Sequence, residues 1–134
     1  MQALNRTAGA GLNVFGALGG MYALEELELG AIGIMTGFVY AELLVQLYDL
    51  AQTGQWKQAA NLFYDFLPLN RWEFQPGIGV SLRKQVLKHL GVFTTAKVRH
   101  PGPDADSRTM DQLFRIVGHL QDKGYPLDGG QPAP

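Results

Sequence analysis

Two segments near the start of the chain are apolar at nearly every position: Leu12-Asn13-Val14-Phe15-Gly16-Ala17-Leu18 and Ala31-Ile32-Gly33-Ile34-Met35. Neither alternates in and out as a half-solvated strand does, so both read as strands covered on two faces, the pattern of parallel α/β sheets. Between them Met21, Leu24 and Leu27 recur at helical spacing, with Glu25, Glu26 and Glu28 elsewhere on the surface. The predicted unit is strand, helix over 21–29, strand.

From Phe38 onward the period is helical. Val39, Leu43, Leu47 and Leu50 form one stripe, and Gly54 is placed to stop that helix in a left-handed conformation. A second helix is predicted over 55–66 on Ala59, Ala60, Phe63 and Phe66 or Leu67, with Pro68 bending or restarting it. A third uses Ile78, Leu82, Val86 and Leu90 and is closed by Gly91. After the proline-rich linker His100-Pro101-Gly102-Pro103-Asp104, Thr109 and Gln112 match a capping box. Met110, Leu113, Phe114, Val117 and Leu120 then supply an apolar face that Gly124 ends. The tail over 125–134 has no hydrophobic repeat and is expected to be flexible.

Composition narrows the class. The chain has 134 residues, is 46% hydrophobic and 17% charged, and carries a net charge of −1. That is a globular composition with no field to gather phosphates or anionic lipid, so neither nucleic acid nor a membrane is expected as a partner. The absence of Cys removes thiolate catalysis and iron–sulfur ligation and fits a reducing compartment, so the expected location is cytoplasmic. Residues 1–20 lack the pattern of a signal peptide. The longest uncharged window, 29–41, is short of the ~20 residues that span a bilayer and reads as buried interior.

Two parallel strands buried on both faces leave rows of N–H and C=O groups without ladder partners. The chain is therefore expected to be the C-terminal portion of a larger parallel-sheet protein, or to find the missing strands in another polypeptide. The run from Leu18-Gly19-Gly20-Met21 through Gly33-Ile34-Met35-Thr36-Gly37-Phe38 narrows this further. Gly54-Gln55-Trp56-Lys57, Leu67-Pro68-Leu69, Glu73-Phe74-Gln75-Pro76-Gly77-Ile78-Gly79 and Arg83-Lys84 follow it in order. Together, over about residues 10 to 120, these blocks closely resemble the C-terminal half of the dihydrodipicolinate synthase family, which includes N-acetylneuraminate lyase and related aldolases.

The resemblance implies an α/β fold, mainly helical by residue count: the last two βα units of a (β/α)8 barrel over 1–54, with strands at about 12–18 and 31–35. A helical extension follows over 55–124. It implies class I lyase or aldol chemistry on a 2-oxo acid such as pyruvate, through a Schiff base to a lysine on strand six, with a tyrosine on strand five moving protons. A protonated imine suits this chemistry because it is an electron sink for the adjacent carbanion. Strands seven and eight match 13–18 and 31–35, so that lysine and tyrosine lie outside this sequence. No catalytic residue carries over. None of Lys57, Lys84, Lys88, Lys97 and Lys123 matches the Schiff-base position.

Gly19, close to the glycine at the end of strand seven, and Met35, on strand eight, are the substrate-binding candidates. Near strand seven, Leu18-Gly19-Gly20 replaces the glycine and two acidic residues of the synthases, and Gln75 stands where they carry Asn. No metal or diffusible cofactor is implied, and the chain alone is expected to be inactive. The substrate is expected only in a complete barrel, through self-association or a complementary half-barrel. The alternative is a non-catalytic helical interaction module derived from such an enzyme.

Other constellations are weaker. Gly16, Gly19 and Gly20 ahead of a helix match neither the dinucleotide fingerprint nor the P-loop spacing and read as a close-packed turn. His89, His100 and His119 lack the spacing that puts two metal ligands on one helical face. Ser81 and Ser107 have no visible triad partners and read as surface or turn serines. Arg71, Glu73, Arg83 and Lys84 read as ion-paired on or between helices.

Overall fold

A computed structural model describes residues 12–127. The front of the chain folds as the predicted strand, helix, strand. Strand β1 (Phe15–Gly16) and strand β2 (Gly33–Ile34) pair in parallel, with Phe15 opposite Gly33 and Gly16 opposite Ile34. A 3-10 turn (Leu18–Gly20) and helix α1 (Ala23–Glu28) connect them. α1 buries Ala23, Leu24 and Leu27 and packs on β1.

The strands are much shorter than the expected spans of about 12–18 and 31–35. Each has one paired edge among the described residues, and the backbone turns at Leu18 before the ladder extends further. The expectation of cover on both faces also fails in this chain. Among the described residues Leu12, Phe15, Leu18, Ile32 and Met35 are all between 42% and 60% exposed.

Four helices follow: α2 (Ala41–Gln52), α3 (Trp56–Glu73), α4 (Gly79–His89) and α5 (Ser107–Asp122). The molecule is thus a mainly helical α/β chain. It divides into two compact units inside α3, residues up to Leu67 and residues from Pro68 onward.

In the first unit, α1 packs on α2, which buries Leu43, Leu44, Leu47 and Ala51. Phe38, Phe63 and Phe66 form an aromatic cluster, with Phe38 stacked on Phe66 at 5.8 Å between centroids and Phe63 edge-on to Phe66 at 5.6 Å. α2 ends as predicted at Gly54, where φ is +72°. The Gly54 N–H donates to Ala51 O at 3.0 Å and the Gln55 N–H to Leu50 O at 2.8 Å, the paired bonds of a Schellman cap. The same pair of bonds closes α4 at Gly91 and α5 at Gly124.

Pro68 does not break the helix. It stands on the exposed face of α3, one turn after the exposed Tyr64, and the helix runs on through it to Glu73.

In the second unit, Leu82 and Val86 of α4 and Leu113, Val117 and Leu120 of α5 are buried. Ser81 is not a surface residue: it is 1% exposed, and its hydroxyl accepts the Ala105 N–H at 2.8 Å, pinning the linker before α5. Lys84 donates to the Lys97 carbonyl at 2.7 Å.

The N-cap of α5 is Asp106, three residues before Thr109. Its carboxylate accepts both the Thr109 N–H at 2.8 Å and the Thr109 hydroxyl at 2.9 Å. A carboxylate facing the positive end of a helix is a better acceptor there than a hydroxyl, which explains why Asp106 caps the helix and Thr109 lies inside it. The Thr109 N–H, and after it the Thr109 hydroxyl, hold the Asp106 carboxyl below its ordinary range. Of the expected flexible tail, 128–134 lie outside the described residues, as do 1–11 at the front.

Candidate functional site

Parallel pairing places the C-terminal ends of β1 and β2 side by side, and this is where the two sequence candidates meet. The Ile32 N–H donates to Val14 O at 2.9 Å and the Met35 N–H to Gly16 O at 2.8 Å, carrying the pairing one step past each strand. Beyond β1 the chain turns sharply, with φ of 54° at Leu18, 70° at Gly19 and 86° at Gly20. The Gly20 N–H closes that turn on Ala17 O at 3.0 Å. Gly19 is buried, and Met35 presents a side chain that is 60% exposed.

Two side chains tie this edge together. The Thr36 hydroxyl donates to Gly19 O at 2.8 Å and accepts the Phe38 N–H at 2.9 Å, so one residue links the turn after β1 to the segment after β2. Glu26 reaches from α1 to accept the Ala17 N–H on Oε1 at 3.3 Å. Its Oε2 is buried without a hydrogen-bond partner and lies against Gly16, where any Cβ would overlap it and would also meet the Ile34 side chain at 2.6 Å. Gly16 is therefore required by close approach.

Neither residue stood out in the sequence, though each left a trace. A Thr directly after an apolar strand and before Gly favours a hydroxyl-closed turn to residue i+2. Glu26 lies three residues after buried Ala23, which puts it at the margin of the buried stripe.

The edge offers backbone N–H and C=O groups and apolar side chains. Lys57 lies in the first turn of α3, Lys84 and Lys88 on α4, Lys97 in the following loop and Lys123 after α5. His89 packs its ring on Phe114 at 4.7 Å, and among the described residues no three His, Asp or Glu side chains are grouped to hold a metal. A shallow concavity of about 330 Å³ lined by Gln46, Asp49, Leu50, Thr53 and Gln55 lies on the end of α2, away from the candidate residues. Among the described residues no helix is long and apolar enough to cross a membrane.

No protein-family model matches the chain. It is 27% identical over 97 residues to L-2-keto-3-deoxyarabonate dehydratase of Azospirillum brasilense, a match covering 72% of this chain and 31% of the dehydratase. Among solved structures it is similar to dihydrodipicolinate synthase of Rhodopseudomonas palustris, with a TM-score of 0.82 and 32% identity over 89% of this chain. A provisionally named dihydrodipicolinate synthetase of Pseudomonas aeruginosa shares the fold at a TM-score of 0.79 and 24% identity, again over 89% of this chain. The chain spans 31% of the curated relative and about 40% of the solved chains.

Proposed function

Because the chain is a partial dihydrodipicolinate synthase family chain in sequence and fold, we propose that it supplies the last two βα units of a (β/α)8 barrel, over 1–54, and the helical extension over 55–124. The barrel would act on a 2-oxo acid through a Schiff base. The observation that carries this reading is the convergence of Gly19 and Met35 at the C-terminal ends of two parallel strands, the side of such barrels on which active sites are built. The name of the curated relative, a dehydratase of a 2-keto acid, supports the same substrate class.

In this reading the reactive amine comes from sequence other than this chain. It attacks the 2-oxo carbon and expels water, and the protonated imine takes up the electron pair released at the neighbouring carbon. That intermediate serves both carbon–carbon bond cleavage or condensation and loss of a β-hydroxyl. This chain contributes the rim: Gly19 with its carbonyl held by Thr36, and Met35, whose N–H is already engaged by Gly16 so that its carbonyl and side chain remain for substrate. The protein would be cytoplasmic and would complete itself by self-association or with a complementary half-barrel. The second reading, a non-catalytic helical module, draws on the resemblance, which matches none of the five lysines to the Schiff-base position.

Pyruvate with borohydride tests both. The isolated chain should gain no stoichiometric mass on any of its five lysines. In a complex with a half-barrel carrying the strand-six lysine, an adduct should form on that lysine. A complex that assembles and traps nothing supports the module, and an adduct on this chain's own lysines contradicts the barrel assignment.

A further inference from the structure

We propose that Glu26 and Thr36 are positioning residues that together hold a strained turn at Leu18 and thereby fix how Gly19 is presented at the strand-end rim. The importance of that rim rests on the Schiff-base reading above; the clamp itself rests on geometry. Backbone groups of successive strand residues point to opposite edges. Val14 and Gly16 direct their carbonyls to the β2 side, where the N–H groups of Ile32 and Met35 meet them. Phe15 and Ala17 therefore direct theirs to the open edge. There the Ala17 N–H is taken by Glu26 Oε1. Glu26 thus occupies the last ladder position of that edge before the turn.

The next residue, Leu18, has φ of 54°. A left-handed conformation is unfavourable for a side chain with a Cβ, and a bulky residue keeps it only when its surroundings over-determine it. Glycine would adopt it freely, as Gly19 and Gly20 do at φ of 70° and 86°. Immediately past Leu18, the Gly19 carbonyl is held by the Thr36 hydroxyl at 2.8 Å. The strained residue is thus bracketed, by a carboxylate on the N–H before it and a hydroxyl on the carbonyl after it. Inside the turn the Gly20 N–H donates to Ala17 O at 3.0 Å and the Met21 N–H to Leu18 O at 3.3 Å, so the two side chains act on a turn that its own backbone also closes. Thr36 is itself fixed by the Phe38 N–H, and Phe38 is buried in the aromatic cluster, so the clamp is anchored in the core of its unit.

Amide exchange on the full chain tests this without substrate. Thr36→Val removes the hydroxyl at constant shape and should cost the Gly20 and Met21 amides about three- to tenfold in protection, the range set by one net hydrogen bond. The Gln55 amide, in the α2 cap of the same unit, should be unmoved. Thr36→Ser should restore protection. In a Leu18→Gly background, where the turn carries no strain, Thr36→Val should cost less than about twofold.

Equal losses with Leu18 and with Gly at position 18, or no loss in Thr36→Val, would overturn the clamp. If Thr36→Val also loses Gln55 protection, the unit has loosened as a whole and Glu26→Ala is the deciding variant, read on the same amides against the same background. Failure of the Schiff-base reading appears in borohydride trapping and not in these amides, so the two failures are separable.

Discussion

Residues 12–36 and the helices after them both carry large apolar side chains, and those side chains end in opposite conditions. In the front segment Phe15, Leu18 and Met35 are about half exposed or more, whereas Phe63, Phe66, Leu69, Leu82, Leu113 and Leu120 are at most 1% exposed. A helix satisfies its own backbone and needs cover on one stripe only, which its neighbours here provide. A strand covered on two faces needs a neighbour at each edge and a layer on each face. β1 and β2 supply each other with one edge. The difference leaves apolar surface uncovered at the edge that carries Gly19 and Met35.

Core truncation should break the comparison most visibly. Phe66→Ala removes a fully buried ring stacked on Phe38 and should cost about 3–5 kcal/mol in urea unfolding. Phe15→Ala should stay within about 0.5 kcal/mol in the isolated chain, because its ring is half in water already. A similar cost at both positions would mean the front segment is covered after all.

Gly54→Ala comes next and should cost about 1–2 kcal/mol by the same unfolding measurement. At φ of +72° the methyl meets nothing within 4 Å, so the effect is purely conformational. Ser81→Ala leaves the part-buried Ala105 N–H without its acceptor and should cost about 1 kcal/mol, with the loss of amide protection centred on the linker before α5.

The smallest effect is at Asp106, which is fully exposed. Its carboxyl is held below the ordinary range in the folded chain, first by the Thr109 N–H, so its contribution is complete above the ordinary carboxylate pKa. That contribution is lost as pH falls through the lowered value. The Thr109 amide resonance should report this in an acid titration, and Asp106→Asn should leave it flat.

These sites also show what the sequence could and could not convey. Gly54, Gly91 and Gly124 were legible as helix ends, because the residue that tolerates positive φ is itself the signal. The α5 start was misplaced by three residues, since Thr109 with Gln112 matches a cap pattern while the approach of the Asp106 carboxylate makes it the cap. Pro68 reads as a bend or restart, whereas α3 continues through it. Ser81 carries no sign that the Ala105 N–H will meet it, a partner 24 residues away. At the candidate site, the apolar runs showed two strands and the glycines showed a turn. Glu26 and Thr36 bond to backbone atoms 9 and 17 residues away, and a pattern of side-chain types does not encode such contacts.

Native-state hydrogen exchange on a monomeric sample tests the central claim, that β1 and β2 are strands whose partners lie outside this chain. The account predicts protection near the global limit for Leu47 and Val117 amides, and little for Phe15. It also predicts that Phe15 protection rises when a complementary half-barrel is added. Strong protection of Phe15 in the free monomer would contradict it.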